Sequence, residues 1–367
     1  MKYYLIAGEA SGDLHGSNLI RSLKKNDENG IFRCWGGDKM ETAGASIVEH
    51  FRNMAFMGFV EVIKNIKTIV GFLNRCKKDI QNFNPDVLIL IDYPGFNLRM
   101  AKWGKKQGIK VVYYITPQVW AWHKSRVHDL GKHTDLLLVI LPFESSFFNK
   151  YGYKTTFVGH PLLDAIKNFT PDIPTTQSLL QSKDVLALLP GSRKQEIKTM
   201  LPIMLDACRG LNFQLAIAGA PSVDDKIYNE IVKKSSLDNP PTIVRNQTYT
   251  ILSLSKYALV SSGTATLETA LFNVPQIVCY KGNPISYYIA KHLIDLQYIS
   301  LVNLIAEREV IKELIQNELT SENLKKELIN LEPNSEKIKS QYLEIRQLLG
   351  KEGASDRAAA EIIKILI

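Results

Sequence analysis

Short runs of valine, isoleucine and leucine alternate with helical segments through most of this 367-residue chain. The runs are almost continuously apolar, which is typical of strands that are covered on both faces of a parallel sheet. Their alternation with helices predicts βαβ units. The candidate strands form two series, at residues 2–7, 86–91, 110–115, 136–140 and 155–158, and at residues 185–189, 213–218, 242–244, 258–260 and 276–279.

The two series predict two α/β domains. Between them, residues 168–176 are rich in proline and threonine and are interpreted as a linker. Each half opens with a strand, a small-residue turn and a helix, YYLIAGEASGD in one and LALLPGSRKQE in the other, as two Rossmann-like domains would. After residue 305 we expect only helices. The predicted domains are 1–168 and 176–345, and residues 346–367 form a helix that crosses back or is exchanged between subunits.

The composition narrows the class of protein. A formal net charge of +8 fits an enzyme for anionic substrates, a protein that rests on acidic lipid, or a nucleic-acid binder. The basic residues are dispersed and no zinc-finger or RNP-type motif is present, which disfavours nucleic acid. The four cysteines form no CxxC pair, which favours buried thiols in a reducing compartment. No uncharged stretch reaches the roughly 18 residues of a transmembrane helix, so we expect a cytoplasmic protein.

Two turns in the second half can hold phosphate. In LVSSGTATLE a buried strand enters Ser262-Gly263-Thr264, and the helix that follows offers amide groups and a positive dipole end. Glu268 lies one turn into that helix, where it can bind ribose hydroxyls. In LLPGSR the turn Gly191-Ser192-Arg193 adds a planar cation that suits phosphate oxygens. An ordinary helix cap and a solvated arginine are the alternatives, but two such turns in one domain favour a shared diphosphate.

Asp92 ends an apolar strand and precedes Tyr93-Pro94-Gly95. Catalytic groups in open α/β sheets gather at the carboxyl ends of strands, so this carboxylate is a candidate general base. A turn-initiating aspartate is the structural alternative. In the first turn of the chain, Ser11 and Asp13 either bind an anion or cap a helix over residues 14–23.

Two further segments have both a structural and a functional interpretation. Trp120 and Trp122 follow a strand and either stack on a sugar or belong to the core. An apolar stripe at helical spacing lies within residues 54–73. It predicts a core-facing helix or, alternatively, a surface that meets acyl chains at a bilayer.

An ordered set of motifs resembles the lipid-A-disaccharide synthases along nearly the whole chain. The motifs are GEASGD at 8–13, MGFVEV at 57–62, IDYPGFN at 91–97, PQVWAW at 117–122, LPFE at 141–144, VGHPLLD at 158–164, LLPGSR at 188–193, SSGTATLE at 261–268 and SLVNLIAERE at 300–309.

The resemblance implies a GT-B fold, with two Rossmann-like domains that face a cleft. It implies an inverting glycosyltransferase that needs no metal ion or cofactor. The implied reaction joins UDP-2,3-diacylglucosamine to 2,3-diacylglucosamine 1-phosphate, giving the β-1,6 disaccharide 1-phosphate and UDP. The implied partners are these acylated lipids, the inner face of the inner membrane, contacted through residues 54–73, and a second copy of the chain.

The resemblance also implies a role for individual residues, with Asp92 as the base that deprotonates the acceptor 6-hydroxyl. Gly95 stands where many relatives carry an aspartate. The donor-binding residues are Gly191, Ser192, Arg193, Ser262, Gly263, Thr264, Glu268 and Asn303. The residues on the acceptor side are Glu9, Ser11, Gly12, Asp13, Asn97, Gln118 and Trp120.

Four other functions remain as alternatives. A UDP-GlcNAc 2-epimerase or a muramyl-pathway glycosyltransferase would have a similar architecture, but GEASGD and PQVWAW argue against both. A non-catalytic lipid-binding protein would use the stripe at 54–73, and a nucleic-acid binder would show salt-sensitive DNA binding.

Overall fold

A computed structural model describes residues 1–54, 66–120, 125–179, 183–221, 223–235, 237–282 and 297–367. The strands are β1 (Lys2–Ala7), β2 (Ile31–Gly36), β3 (Ser46–His50), β4 (Val87–Ile91), β5 (Lys110–Tyr114), β6 (Leu136–Val139), β7 (Thr156–Phe157), β8 (Val185–Leu189), β9 (Gln214–Gly219), β10 (Thr242–Arg245), β11 (Ser255–Ser261), β12 (Gln276–Tyr280) and β13 (Lys312–Ile315).

The helices alternate with these strands, and two short 3-10 turns, Phe51–Asn53 and Gln316–Glu318, accompany them. The helices are α1 (Ala10–Asn26), α2 (Asp38–Thr42), α3 (Ile66–Phe83), α4 (Pro94–Lys106), α5 (Arg126–His133), α6 (Glu144–Asn149), α7 (Leu162–Lys167), α8 (Ile173–Leu179), α9 (Lys194–Ala207), α10 (Asp225–Ser235), α11 (Thr248–Leu254), α12 (Thr264–Leu271), α13 (Leu301–Ala306), α14 (Ser321–Leu348) and α15 (Ala354–Lys364).

The chain divides into two compact units. The first unit contains Met1–Asp164 and Leu349–Ile367, and the second contains Ala165–Leu348. In the first unit seven parallel strands lie in the order β3-β2-β1-β4-β5-β6-β7, and in the second unit six lie in the order β10-β9-β8-β11-β12-β13. The predicted class, two parallel-sheet α/β domains with a helical C-terminal segment, is confirmed.

Each sheet has one point at which the strand order reverses direction. In the first unit it lies between β1 and β4, and in the second between β8 and β11. Loops that leave neighbouring strands at such a switch point diverge to opposite faces of the sheet, and the crevice that opens there is where open α/β sheets bind ligands. The loops concerned begin at Gly8 and Asp92 in one unit, and at Pro190 and Ser262 in the other.

All ten strands that the sequence predicts are present. The strands at the centre of each sheet, such as β4 and β8, are buried along their whole length, whereas β7 and β10 at the sheet edges are mostly not. β2 and β3 were not predicted, since Arg33 and Glu49 interrupt their apolar character. Arg33 is partly buried and pairs with Asp79 at 2.6 Å, and Glu49 is buried and pairs with Arg75 at 2.5 Å.

The expectation that only helices follow residue 305 is wrong. β13 pairs with β12 along the edge of the second sheet. Its four residues include Lys312, which is exposed, and Glu313, which is buried and accepts hydrogen bonds. Two charged residues in so short a strand conceal its apolar pattern.

The stretch interpreted as a linker, residues 168–176, contains regular structure. α8 begins within it at Ile173, and Asp172 Oδ2 accepts a hydrogen bond from Thr175 N at 2.9 Å. At the other end of the chain α15 packs against α1, where Asp356 Oδ1 accepts from Ser22 Oγ at 2.6 Å and pairs with Lys25 at 3.0 Å.

Most of the stripe predicted within 54–73 lies outside the described residues, which resume at Ile66. In the described part, Leu73 is buried and Ile69 packs on the core of the first unit, whereas Val70 is 49% exposed. Within the described ranges no helix has the length and hydrophobicity that a membrane crossing requires. All four cysteines are buried free thiols, as expected.

Candidate active site

Asp92 occupies a strained turn at the carboxyl end of β4. Its φ is 45° and that of Tyr93 is 50°, and two consecutive non-glycine residues in the left-handed region are costly. Three hydrogen bonds hold the turn. Asp92 N donates to Tyr114 O at 3.2 Å, and Asp92 O accepts from Asn97 Nδ2 at 2.8 Å and from the Tyr113 hydroxyl at 2.7 Å. Strain that is maintained in this way is typical of functional sites.

Gly8 allows the first loop to approach this turn. A Cβ atom at Gly8 would lie 2.2 Å from Cγ of the Tyr93 ring, so no larger residue fits. The Tyr93 hydroxyl donates to Met54 O at 2.9 Å, which fixes the ring. Packing against the Asp92 turn therefore requires glycine at position 8, directly after β1.

The carboxylate of Glu9, in the loop that follows β1, acts electrostatically on the carboxyl group of Asp92. Burial, followed by the negative charge of Glu9, raises the pKa of Asp92 to about 7. A nearby like charge disfavours the ionised form of a carboxyl group. Ser11 Oγ donates to Glu9 Oε1 at 2.8 Å and orients it. Asp92 can thus gain or lose a proton near neutral pH, as a general base must.

Glu144 is a third acid at this edge of the sheet, and it is only 1% exposed. Its Oε1 accepts from Thr116 Oγ1 at 3.0 Å, and its Oε2 from the N–H groups of Ile140 and Leu141 at 3.1 and 2.8 Å. Burial raises the pKa of Glu144 to about 7, and its charge contributes to the raised pKa of Asp92. Glu144 ends the motif LPFE and was not predicted as a site residue, although an acid that soon follows a buried strand is a usable signal.

The other residues expected on the acceptor side differ in exposure, and some lie in the interior of the first unit. Gln118 is exposed, whereas Trp120 is 8% exposed and packs edge-on against Phe143 at 4.9 Å. Gly12 is buried against β1, where a Cβ atom would lie 3.1 Å from Ala7 Cβ. The structure brings Glu9, Ser11, Asn97 and Asp92 together.

Asp13 serves the interior of the first unit. It is 3% exposed, and its carboxylate accepts from the N–H groups of Gly37, Lys39 and Met40 at 2.9 to 3.1 Å. It therefore caps α2. The expectation that Asp13 and Ser11 cap a helix starting at residue 14 is wrong, because α1 already begins at Ala10 and has no side-chain cap.

In the second unit, the turn after β8 already holds a carboxylate. Gly191 has a φ of +113°, and a Cβ there would lie 2.5 Å from Glu196 Oε2. That oxygen accepts from Ser192 N at 3.1 Å and Arg193 N at 3.2 Å, and Arg193 Nη1 lies 3.3 Å from Glu196 Oε1. The groups expected to bind phosphate thus face an internal anion, and both Ser192 and Arg193 are exposed.

The turn after β11 is shaped by Gly263, whose φ of +147° favours glycine. Ser262 N donates to Cys279 O at 3.3 Å and Ser262 Oγ to Ile299 O at 3.0 Å. Thr264 is exposed at the start of α12. The first amide groups of a helix have no carbonyl acceptor four residues earlier within it, and Thr266 N instead donates to Gly263 O at 3.1 Å. This turn can therefore bind an anion.

Glu268 is held by a residue that sequence analysis missed. The Tyr249 hydroxyl donates to Glu268 Oε1 at 2.9 Å, and burial with the Glu268 charge raises the pKa of Tyr249 well above its usual value. The Tyr249 ring packs against Phe169 and Phe272, with centroids at 5.7 and 5.1 Å. No sequence motif marks Tyr249, because its partners come from distant segments.

Asn303, the last residue expected to bind the donor, is fully buried at the start of α13. Its amide is hydrogen-bonded to Ile311 and Glu313 through Nδ2, and to the N–H groups of Val310 and Ile311 through Oδ1. The Asn303 amide therefore serves the interior of the second unit.

Solved structures with the same architecture define the class. The structure of S. aureus MnaA with UDP has a TM-score of 0.72 at 15% identity, covering all of this chain and 97% of that one. CalG4, the calicheamicin glycosyltransferase, has a TM-score of 0.62 at 15% identity, covering 99% and 98%. Such low identities show the fold alone, which is the GT-B fold with two parallel sheets.

The family follows from sequence comparison. Residues 3–366 match a family model described as lipid-A-disaccharide synthetase. The lipid-A-disaccharide synthase of Syntrophus aciditrophicus is 39% identical, and that of Trichlorobacter lovleyi is 36% identical, each over 99% of this chain and 97% of the relative. The chain belongs to the lipid-A-disaccharide synthase family and is a glycosyltransferase.

Proposed function

We propose that this enzyme joins UDP-2,3-diacylglucosamine to 2,3-diacylglucosamine 1-phosphate, giving the β-1,6 disaccharide 1-phosphate and UDP with inversion at the donor carbon. The observation that carries the proposal is Asp92. In a chain that matches this family along its full length, it stands at a switch point with a pKa raised to about 7.

Asp92 acts as the base in a single displacement. It accepts the proton of the acceptor 6-hydroxyl as that oxygen attacks C1 of the donor, and the bond from C1 to the UDP oxygen breaks. One displacement inverts the configuration at C1, so one base suffices. Glu9 raises the proton affinity of Asp92, and Asn97 and Tyr113 hold its backbone in place.

The second unit holds the donor. Arg193 and the amide groups of the Gly191-Ser192 and Ser262-Gly263-Thr264 turns bind the diphosphate and stabilise the charge that builds on departing UDP. Glu268, oriented by Tyr249, accepts hydrogen bonds from the ribose hydroxyls. With an arginine and amides in this role, the proposed mechanism uses no metal ion and no cofactor.

The proposal extends to location and assembly. Both substrates carry acyl chains and reside in a membrane, so the enzyme has to reach them at the inner face of the inner membrane, from the cytoplasm and without crossing. We assign the contact to residues 54–73 and expect a homodimer.

Mass spectrometry of a reaction with the two detergent-dispersed acylated sugars tests the proposal. We expect a disaccharide 1-phosphate and one UDP per disaccharide, with the same rate in EDTA. A parallel reaction with UDP-GlcNAc alone separates the alternatives, because a 2-epimerase would convert that sugar. Absence of the disaccharide would refute the proposal, and loss of activity in EDTA would refute its metal-independent form.

A further inference from the structure

A group of buried hydrogen bonds lies behind the Ser262-Gly263-Thr264 turn, and Glu313 is at its centre. Glu313 lies on β13 and is 8% exposed. Its Oε1 accepts from Ser300 N at 3.0 Å, Ser300 Oγ at 2.6 Å and Asn303 Nδ2 at 2.9 Å, and its Oε2 accepts from Ile299 N at 2.9 Å. Four donors on one carboxylate offset the cost of burying its charge. Glu313 thereby ties the segment before α13 to the edge of the sheet.

The hydrogen bonds continue from this segment to the turn. Ser262 Oγ donates to the carbonyl oxygen of Ile299 at 3.0 Å, and Ile299 is the residue whose N–H is bound by Glu313. Ser262 N also donates to Cys279 O on β12, the strand that pairs with β13. The place of the Ser262 hydroxyl thus depends on Ile299, and the place of Ile299 depends on Glu313.

The Asn303 amide has no remaining hydrogen-bonding capacity for a ligand. Nδ2 donates to Ile311 O at 2.8 Å and to Glu313 Oε1 at 2.9 Å. Oδ1 accepts from Val310 N at 2.8 Å and Ile311 N at 3.0 Å. An amide side chain has two donor hydrogens and two acceptor lone pairs, so all four are used.

We propose that Glu313 is a positioning residue for nucleotide binding, and that Asn303 acts through Glu313 and not by touching the donor. The inference rests on the proposed binding of UDP at the Ser262 turn. Hydrogen bonds from a turn to phosphate oxygens weaken steeply when their angles change. Displacement of Ile299 would therefore misalign the turn without altering any group that contacts the nucleotide.

The variant Glu313→Gln tests the positioning role of Glu313. Its affinity for UDP is measured by titration calorimetry, and its KM values for donor and acceptor by steady-state kinetics. The amide nitrogen of glutamine would face N–H donors, so we expect the Kd for UDP and the KM for the donor to rise about tenfold or more, with the KM for the acceptor unchanged. A residue needed only for folding would instead lower the active fraction, and hence kcat, without changing the Kd. Glu318→Gln, an exposed position just after β13, is the matched control and should bind UDP normally.

A double-mutant cycle separates the role of Asn303. If Asn303→Ala and Glu313→Gln both act by disturbing the hydrogen bonds around Glu313, the Kd of the double variant will not exceed the larger Kd of the two single variants. Additive losses would overturn the inference, because they would mean that Asn303 contacts the nucleotide independently.

Wild-type affinity in folded Glu313→Gln would overturn this inference alone, whereas a wild-type protein that fails to bind UDP would overturn the proposed function as well. Ser300→Ala removes a single donor to Glu313 and serves if Glu313→Gln does not fold. We expect it to weaken UDP binding about threefold, and unchanged binding would again overturn the inference.

Discussion

The switch points of the two sheets occupy the same topological place but carry opposite chemistry. Between β1 and β4, the first unit places Asp92 under the influence of two further acids, Glu9 and Glu144, whose charges raise its pKa. Between β8 and β11, the second unit presents Arg193, two glycine-shaped turns and the start of α12. The first arrangement raises proton affinity, and the second favours anions.

The comparison shows how one architecture supports two tasks. Loops that leave a parallel sheet at its switch point are free to differ while the strands beneath them stay alike. In the first unit, two left-handed non-glycine residues hold a carboxylate at β4, whereas in the second unit glycines with positive φ, Gly191 and Gly263, shape both turns. Each of the following changes tests one side of this difference.

The largest effect is expected for Asp92→Asn. Asparagine keeps the size of the side chain and its tolerance of left-handed backbone but cannot accept the proton. We therefore expect kcat to fall about 1,000-fold, within the usual range for loss of a general base. UDP binding, measured by calorimetry, should not change, because the proposed donor site belongs to the second unit.

Asp129→Asn, an exposed aspartate on α5, is the control and should keep wild-type turnover. If Asp92→Asn also abolishes UDP binding, the division of tasks between the two switch points is wrong and Asp92 supports the structure.

The pattern of apolar runs predicted the strands at the centre of both sheets, because burial on both faces leaves a direct trace in sequence. It failed at β2, β3 and β13. Arg33 and Glu49 are paired with opposite charges 46 and 26 residues away in the chain, and Glu313 accepts hydrogen bonds from neutral groups of the segment before and at the start of α13. Pairing of this kind cannot be deduced from local pattern.

The candidate site shows the same limit. Motifs located Asp92, Arg193 and the Ser262 turn, since glycine and charge at a strand end are visible locally. They did not reveal that Asp13 caps α2, that Tyr249 orients Glu268, or that Asn303 is enclosed. These contacts join segments that only the tertiary structure brings together.

An intermediate effect is expected for Glu9→Gln, measured as the pH dependence of kcat/KM. The base must be unprotonated, so activity should rise with pH through the pKa of Asp92, which lies at about 7. Removal of the Glu9 charge lowers that pKa, and we expect the acidic limb to move down by about one unit.

We therefore compare activity at pH below 6 as a fraction of each enzyme's own maximum. This fraction should be up to about tenfold larger for Glu9→Gln than for the wild type. Glu28→Gln, an exposed change on the same unit, should leave the limb in place. An unmoved limb in Glu9→Gln would mean that Glu9 does not control the protonation of Asp92.

The smallest effect is expected for Glu196→Gln, which probes the acid bound by the turn after β8 in the proposed donor site. The carboxylate binds Ser192 N, Arg193 N and the Arg193 guanidinium, so a diphosphate has to displace it or bind beside a like charge. Glutamine removes the charge and keeps one acceptor oxygen, and we expect UDP to bind about two- to fivefold more tightly.

The gain in affinity should shrink as salt increases. Glu230→Gln, an exposed change on α10, is the control and should show no gain. Weaker UDP binding would contradict the proposed difference between the two switch points. Glu196 would then shape the turn for its ligand, and carboxylates would support the site in both units.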